Sequence, residues 1–339
     1  MPSRVPQFRL AGPREGVWLS HITRKDKSPG ECSRFFGLFL LLMEGAFMYS
    51  ASKMYLILFA GVFALSTSAI FVKIAEAPSA VTAFYRLIIA AVILMPLLLF
   101  NRQCRQETGE LCARQWGQIL SAGFFLALHY LLWFESLNFT SVASSTVIVC
   151  LQPLFSLALD RFVSGKKVYF SAFVGCVIAL IGCVIIGSGD LQISGDSLWG
   201  DILAFIAAGV IALYFYIGED IRKEISAVTY SVYSYFFSAL ILLLYVLGRQ
   251  DMLVGYTQET WGAFAGLAII STIGGQFVFN LLLKNVSASA VTMSILGEPI
   301  GTCLLAYFIL AERIGNQQLV GIAVIMLGMV VFFMPRRIK

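Results

Sequence analysis

From residue 54 onward the chain alternates long apolar runs with short polar breaks. Ten runs reach spanning length: 54–73, 78–100, 116–137, 142–160, 168–188, 197–217, 227–248, 261–283, 288–310 and 317–334. A helix that crosses the hydrocarbon core needs about 20 mostly apolar residues. The runs are continuous and do not alternate in polarity, so they predict helices and not barrel strands. The longest connections are 101–115 and 249–260, which leaves no room for a soluble domain. The predicted fold class is an all-α integral membrane protein with ten transmembrane helices.

Composition agrees and removes whole classes of function. Hydrophobic residues make up 59% of the 339 and charged residues only 13%, with a mean hydropathy of +0.84. Soluble domains run at roughly 45–50% and 25%, so a soluble enzyme, a nucleic-acid binder and a disulfide scaffold are excluded. The net charge of +5 sits almost entirely in residues 1–53, which carry eight Lys/Arg against four Asp/Glu. That segment lacks a full span. Its apolar run, 35–43, is short and is followed by Glu44. It is expected to be a disordered basic tail or the product of an upstream start codon, with Met54 or Met48 as the true start. The seven cysteines show no C-x-x-C spacing and are read as small hydrophobes.

Loop charge predicts orientation. With ten spans both termini share one side. That side holds Arg102, Arg105, Arg114, Arg161, Lys166, Lys167, Arg222, Lys223, Lys284, Arg336, Arg337 and Lys339, against Lys73, Arg249 and Arg313 on the other. Twelve against three puts both termini in the cytoplasm.

The two halves repeat. An offset of 146 lays Gln152-Pro153 on Glu298-Pro299, Val174 on Val320, Gly175 on Gly321 and Gly182 on Gly328. An offset of 147 lays Ser79-Ala80-Val81-Thr82 on the identical Ser226-Ala227-Val228-Thr229. Five spans per half is an odd number, so the second half is expected to insert upside down. The domains are then a tail (1–53), a first five-helix repeat (54–190) and a second, inverted five-helix repeat (196–335). Inverted repeats of this kind belong to secondary transporters, whose sites lie near the midplane between the repeats.

A resemblance to a known family rests on particular residues. These are Phe84-Tyr85-Arg86, the run Leu128-His129-Tyr130-Leu131-Leu132-Trp133-Phe134-Glu135-Ser136-Leu137, and Thr140-Ser141-Val142-Ala143-Ser144-Ser145 with Gln152-Pro153. In the second half they are Gly274-Gly275-Gln276 with Asn280, Gly297-Glu298-Pro299 and Glu312-Arg313. Over roughly 55–334 the chain resembles the EamA type of the drug/metabolite transporter superfamily. The resemblance implies a ten-helix carrier in a bacterial inner membrane, exporting amino acids or other small metabolites. The first half departs from the pattern, with Gly165-Lys166-Lys167 where Glu312-Arg313 stands in the second.

Ionisable residues deep within spans are candidates for function. Glu298 sits mid-span before Pro299, which removes a backbone donor and loosens the Ile295 carbonyl. A low dielectric disfavours a charged carboxylate, so Glu298 can be a proton-coupling residue. It can equally do no more than bond the loosened backbone. Its repeat mate Gln152 is uncharged, and Pro153 kinks span 4 as Pro299 kinks span 9. Arg86 can attract a substrate carboxylate, but snorkelling toward the outer surface or a structural ion pair is the preferred reading. His129, Trp133 and Ser136 share a face of span 3, and Thr272, Gln276 and Asn280 make a similar stripe on span 8. For each of these residues helix–helix hydrogen bonding competes with a place in a cavity. The stripes occupy equivalent places, with His129 aligned on Gly275, which favours a cavity. Glu135 and Asp160, near span ends, are expected at the interface. Gly297 and Gly301 form G-x-x-x-G, predicting close packing, with span 4 as the expected neighbour.

Walker A, H-E-x-x-H and G-x-S-x-G motifs are absent from the sequence. The expected function is a secondary carrier for a small organic solute, with no cofactor, no metal and no nucleic-acid partner. Its partners are the solute, the bilayer and, left open, a second copy of the chain. The alternative is a membrane enzyme using Glu298 and His129 as acid and base on a lipid-linked substrate.

Overall fold

The computed structural model describes residues 51–140, 142–187, 197–310 and 315–334. Among them ten helices are long and apolar enough to cross a membrane: spans 1 to 10 are Leu56–Ile74, Ser79–Phe100, Ala113–Ser136, Ser144–Phe162, Phe170–Gly187, Ser197–Ile221, Ala227–Arg249, Gln258–Leu282, Ala288–Leu305 and Asn316–Phe333. Each coincides with one apolar run of the sequence. Residues 1–50, and so most of the expected tail, lie outside the described residues, as do Asp190, Glu312 and Arg313. The first described helix opens at Ala51, ahead of the expected boundary.

The outer faces carry large apolar side chains such as Phe59, Phe63, Leu244 and Phe308, while Ser136, Thr229, Ser231, Ser234, Thr272 and Asn280 are buried. Hydrocarbon outside gives polar groups no partner, so they turn inward and bond across helices. Ser238 Oγ donates to the Gly123 carbonyl at 2.6 Å, tying span 7 to span 3. Gly123 allows that approach, since a Cβ there would stand 3.0 Å from the Ser234 carbonyl oxygen.

Spans 4 and 9 are broken at equivalent places. Span 4 runs as Val142–Val149 and Gln152–Phe162, span 9 as Ala288–Ile295 and Glu298–Leu310. The 146-residue offset carries the end of one first half-helix onto the other, and the start of one second half-helix onto the other. The cause is local. Pro153 and Pro299 have no N–H and are tolerated only in a first turn, so a new helix starts one residue before each.

Spans 5 and 10, the last helices of the two halves, pack closely through the repeated glycines. A Cβ on Gly175 would meet Phe332 N at 2.5 Å and the Gly328 carbonyl oxygen at 2.6 Å, and one on Gly182 the Gly321 carbonyl oxygen at 2.7 Å. The pairing of 175 with 328 and 182 with 321 makes the two helices antiparallel.

Spans 3 and 6 pack together, as do spans 8 and 1. His129 Nδ1 lies 3.0 Å from the Ala207 carbonyl oxygen across the first pair. At the aligned position of the second pair stands Gly275, where a Cβ would lie 3.2 Å from the Gly61 carbonyl oxygen. Residue 61 aligns on 207 by the same offset, so one close contact occurs twice, with a ring in one copy and a bare glycine in the other.

Two features were not foreseen. The connection after span 2 forms a short helix, Arg102–Glu110. Its Glu107 carboxylate accepts from Ser226 N and Thr229 Oγ1, both at 2.9 Å, and so caps span 7. Within span 8, Leu267–Phe277 is π-helical. Thr272 Oγ1 donates to the carbonyl five residues back, that of Leu267, at 2.9 Å.

Gly297 and Gly301 do pack closely, but the neighbour is span 1 and not span 4. A Cβ on Gly297 would meet Val62 Cγ1 at 3.2 Å, and one on Gly301 would meet Ser66 Cβ at 2.7 Å. Ser66 Oγ donates to the Glu298 carbonyl at 3.1 Å, bonding span 1 to the backbone at the break.

Candidate functional site

The interior holds a polar cluster built by spans 2, 3, 6, 7 and 8. Arg86 on span 2 is 2% exposed, so it does not snorkel. Its Nε donates to Thr272 Oγ1 at 2.9 Å, and its guanidinium carbon lies 4.8 Å from the centroid of the Tyr130 ring. Its Nη2 has no hydrogen-bond partner. Among the described residues Arg86 makes no ion pair within 4 Å. The expected Arg86–Glu298 pair is therefore not a contact pair.

Asn280 is a hub. Its Nδ2, with two protons to give, lies 2.7 Å from Tyr214 Oη, 2.9 Å from Ser231 Oγ and 3.2 Å from Tyr235 Oη, and its Oδ1 accepts from Tyr214 Oη at 3.0 Å. The Asn280 carbonyl accepts from Arg222 Nε at 2.9 Å. Asn280 thus spends its side chain on helix–helix bonding. Arg222, one of the loop charges, is only 3% exposed and also donates to the Ile225 carbonyl, just past the end of span 6.

Gln276, one turn from both Thr272 and Asn280, is 4% exposed, and its Nε2 makes no hydrogen bond within 3.5 Å, with the Tyr214 side chain beside it. Trp133 is half-buried with an unpartnered Nε1. It stacks on His129 at 5.9 Å and on Phe134 at 5.0 Å. His129 bonds Ala207 as described and lies within reach of the Arg86 charge. Gln152 is buried at the head of its half-helix, and Glu298, half-buried, heads the equivalent one.

Arg86, Thr272, Gln276 and Asn280 are therefore brought together, with His129 and Trp133 beside them. The tyrosines of this cluster, Tyr130, Tyr214 and Tyr235, were missed. The signal for Tyr235 was a polar stripe on span 7, where Ser231, Ser234, Tyr235 and Ser238 recur at helical spacing. Thr272 and Gln276 lie on the π-helical segment, and such segments recur at functional sites because the wider turn re-aims side chains.

A separate cavity of about 470 Å³ opens near one end of the helices, lined by Met54, Leu157, Asp160, Lys166, Ser287 and Phe332 among others. It holds none of the stripe residues. Asp160, two residues from the end of span 4, is buried. Lys166 Nζ lies 2.8 Å from Asp160 Oδ1 and 2.5 Å from Glu219 Oε1, and Glu219 Oε2 accepts from Ala288 N at 2.8 Å. One lysine thus ties the loop after span 4 to span 6 and, through Glu219, to the start of span 9. Burial works against the Lys166 ammonium, but the Asp160 and Glu219 carboxylates outweigh it and hold its pKa above the usual lysine value. Glu135 pairs with Arg249 at 3.6 Å. Among the described residues no cluster of His, Cys, Asp and Glu has the arrangement of a metal site.

The model of the EamA-like transporter family matches twice, over residues 52–188 and 198–334. An uncharacterized transporter of Archaeoglobus fulgidus is 24% identical, over 77% of this chain and 91% of its own. The uncharacterized transporter YyaM of Bacillus subtilis is 24% identical, over 73% and 82%. The S-adenosylmethionine uptake transporter of Rickettsia felis is 25% identical, over 72% and 79%. A solved crystal structure superimposes with a TM-score of 0.71 at 16% identity, covering 83% of this chain and 96% of that one, a likeness of fold alone. With a match in each half and ten apolar helices, the chain belongs to the EamA-like transporter family, whose members are transporters and not enzymes.

Proposed function

We propose that the protein is a secondary carrier that exports amino acids or other small organic solutes across a bacterial cytoplasmic membrane by alternating access. In this reading the halves, 54–190 and 196–335, rock against each other as inverted repeats, with both termini cytoplasmic. The observation that carries it is the pair of helix breaks, at 150–151 and 296–297, in equivalent spans. Broken spans expose half-helix N-termini at mid-membrane, where carriers hold substrates and coupling ions. The reciprocal glycine pairing of spans 5 and 10 supports the inversion, because a two-fold axis between halves makes each position meet the other's partner.

Glu298 is the proton-coupling residue in this proposal. It heads a half-helix, is half-buried, and makes no ion pair with Arg86 within 4 Å. Proton loading and solute binding then compete within one interior. The test is a solute-uptake screen with purified protein in lipid vesicles, with and without a pH gradient. Glu298→Gln keeps the shape and cannot release a proton. It should abolish pH-driven uptake while leaving exchange without a gradient. Unchanged dependence on the gradient would make Glu298 structural.

A further inference from the structure

We propose that the transported solute carries a carboxylate, and that this group docks between Arg86 Nη2 and Gln276 Nε2. The inference rests on the carrier reading above and names the solute class for the same interior.

The argument begins with an imbalance. Arg86 is 2% exposed and Gln276 4%, and each has one nitrogen donor with no partner. A buried charge with no ion-pair partner in contact is costly, and an unmade buried hydrogen bond adds to that cost. The two donors are neighbours: Arg86 Nε is bonded to Thr272, and Gln276 follows Thr272 by one turn of the π-helical segment. Asn280, the next polar residue of that face, is satisfied by Tyr214, Ser231 and Tyr235 and makes no demand for a ligand.

The guanidinium is also fixed before any ligand arrives. Thr272 holds Nε, and the Tyr130 ring lies 4.8 Å from its central carbon. Nη2 is left without a hydrogen bond. Glu298 makes no ion pair with Arg86 within 4 Å, so it does not occupy this edge. A planar guanidinium edge beside an amide N–H matches a planar acceptor with two oxygens.

The experiment measures binding apart from transport. Purified protein in lipid nanodiscs is titrated with phenylacetate and L-methionine, each beside its carboxamide, and with glycerol 3-phosphate, following thermal stabilisation and tryptophan fluorescence. Each acid should bind the wild type at least about thirty-fold more tightly than its amide, the loss that follows removal of one partner of a buried charge pair. Arg86→Gln should lower acid affinity by a similar factor, Arg86→Lys by less, and Gln276→Ala by about three- to tenfold. If Arg86→Gln does not fold, the acid–amide contrast and Gln276→Ala carry the test. Equal affinity for acid and amide, no binding of either acid, or preference for glycerol 3-phosphate overturns the proposal. Acids that bind in this pattern and are not exchanged by reconstituted vesicles would leave the site standing and remove the carrier reading. Exchange of neutral or cationic solutes with no acid bound would do the reverse.

Discussion

Replacing Gly175 by alanine tests whether the last helices of the two halves are held at backbone contact. A Cβ on Gly175 would stand 2.5 Å from Phe332 N, 2.6 Å from the Gly328 carbonyl oxygen and 2.9 Å from Phe332 Cα. All three atoms are backbone, so no side chain can rotate away. Ordinary contact begins at about 3.4 Å, so spans 5 and 10 must part locally by roughly 0.9 Å, a gap that forfeits a quarter to a half of each dispersion contact across it. Overpacking of this kind costs about 1–3 kcal/mol, and the upper end applies where the obstacle is main chain. Against it stands the gain of up to about 1 kcal/mol from alanine in a helix. The control is Gly117→Ala on span 3, where a Cβ meets nothing within 4 Å and only the helix gain remains. Thermal unfolding of the purified protein in detergent should give Gly175→Ala a midpoint clearly below wild type and Gly117→Ala one at or above it. Because Gly328 contacts Gly175 from the other side, Gly328→Ala added to Gly175→Ala should cost less than the sum of the two. A Gly175→Ala protein as stable as Gly117→Ala would refute the backbone-contact reading.

Lys166→Met should lower the unfolding temperature, because it leaves the buried carboxylates of Asp160 and Glu219 facing each other without their cation; an unchanged midpoint would show that the pair is already neutralised otherwise. The pKa of Lys166 is raised in the fold, so its contribution is complete at neutral pH, below the unfolded value, and is lost as pH climbs through the folded one. The wild type, and not Lys166→Met, should therefore show this loss in an alkaline scan. For orientation, Asp190→Cys should react with an impermeant maleimide added outside intact cells and Lys339→Cys should not, in a background lacking the exposed Cys112. Equal labelling of both would refute the ten-span topology.

What the sequence by itself determined is what depends on local chemistry. The ten spans were legible because transfer into hydrocarbon sums over neighbouring residues along one run. The breaks in spans 4 and 9 were legible because Pro153 and Pro299 act on their own backbone, and the repeat because it is written in residue identity. The tertiary structure alone decided which faces meet. Lipid is as apolar as the interior, so hydropathy does not tell a helix's outer face from its packed one. Gly297 and Gly301 therefore announced close packing but not that Ser66 and Val62 of span 1 supply it. Arg86 looked free to snorkel until its 186-residue separation from Thr272 closed into a 2.9 Å bond. Thr272, Gln276 and Asn280 read alike as one stripe. Only the packing of Tyr214, Ser231 and Tyr235 around Asn280 satisfied that side chain and left the Gln276 amide nitrogen open, since a hydrogen bond is settled by the partner across the interface and not by the residue that seeks it.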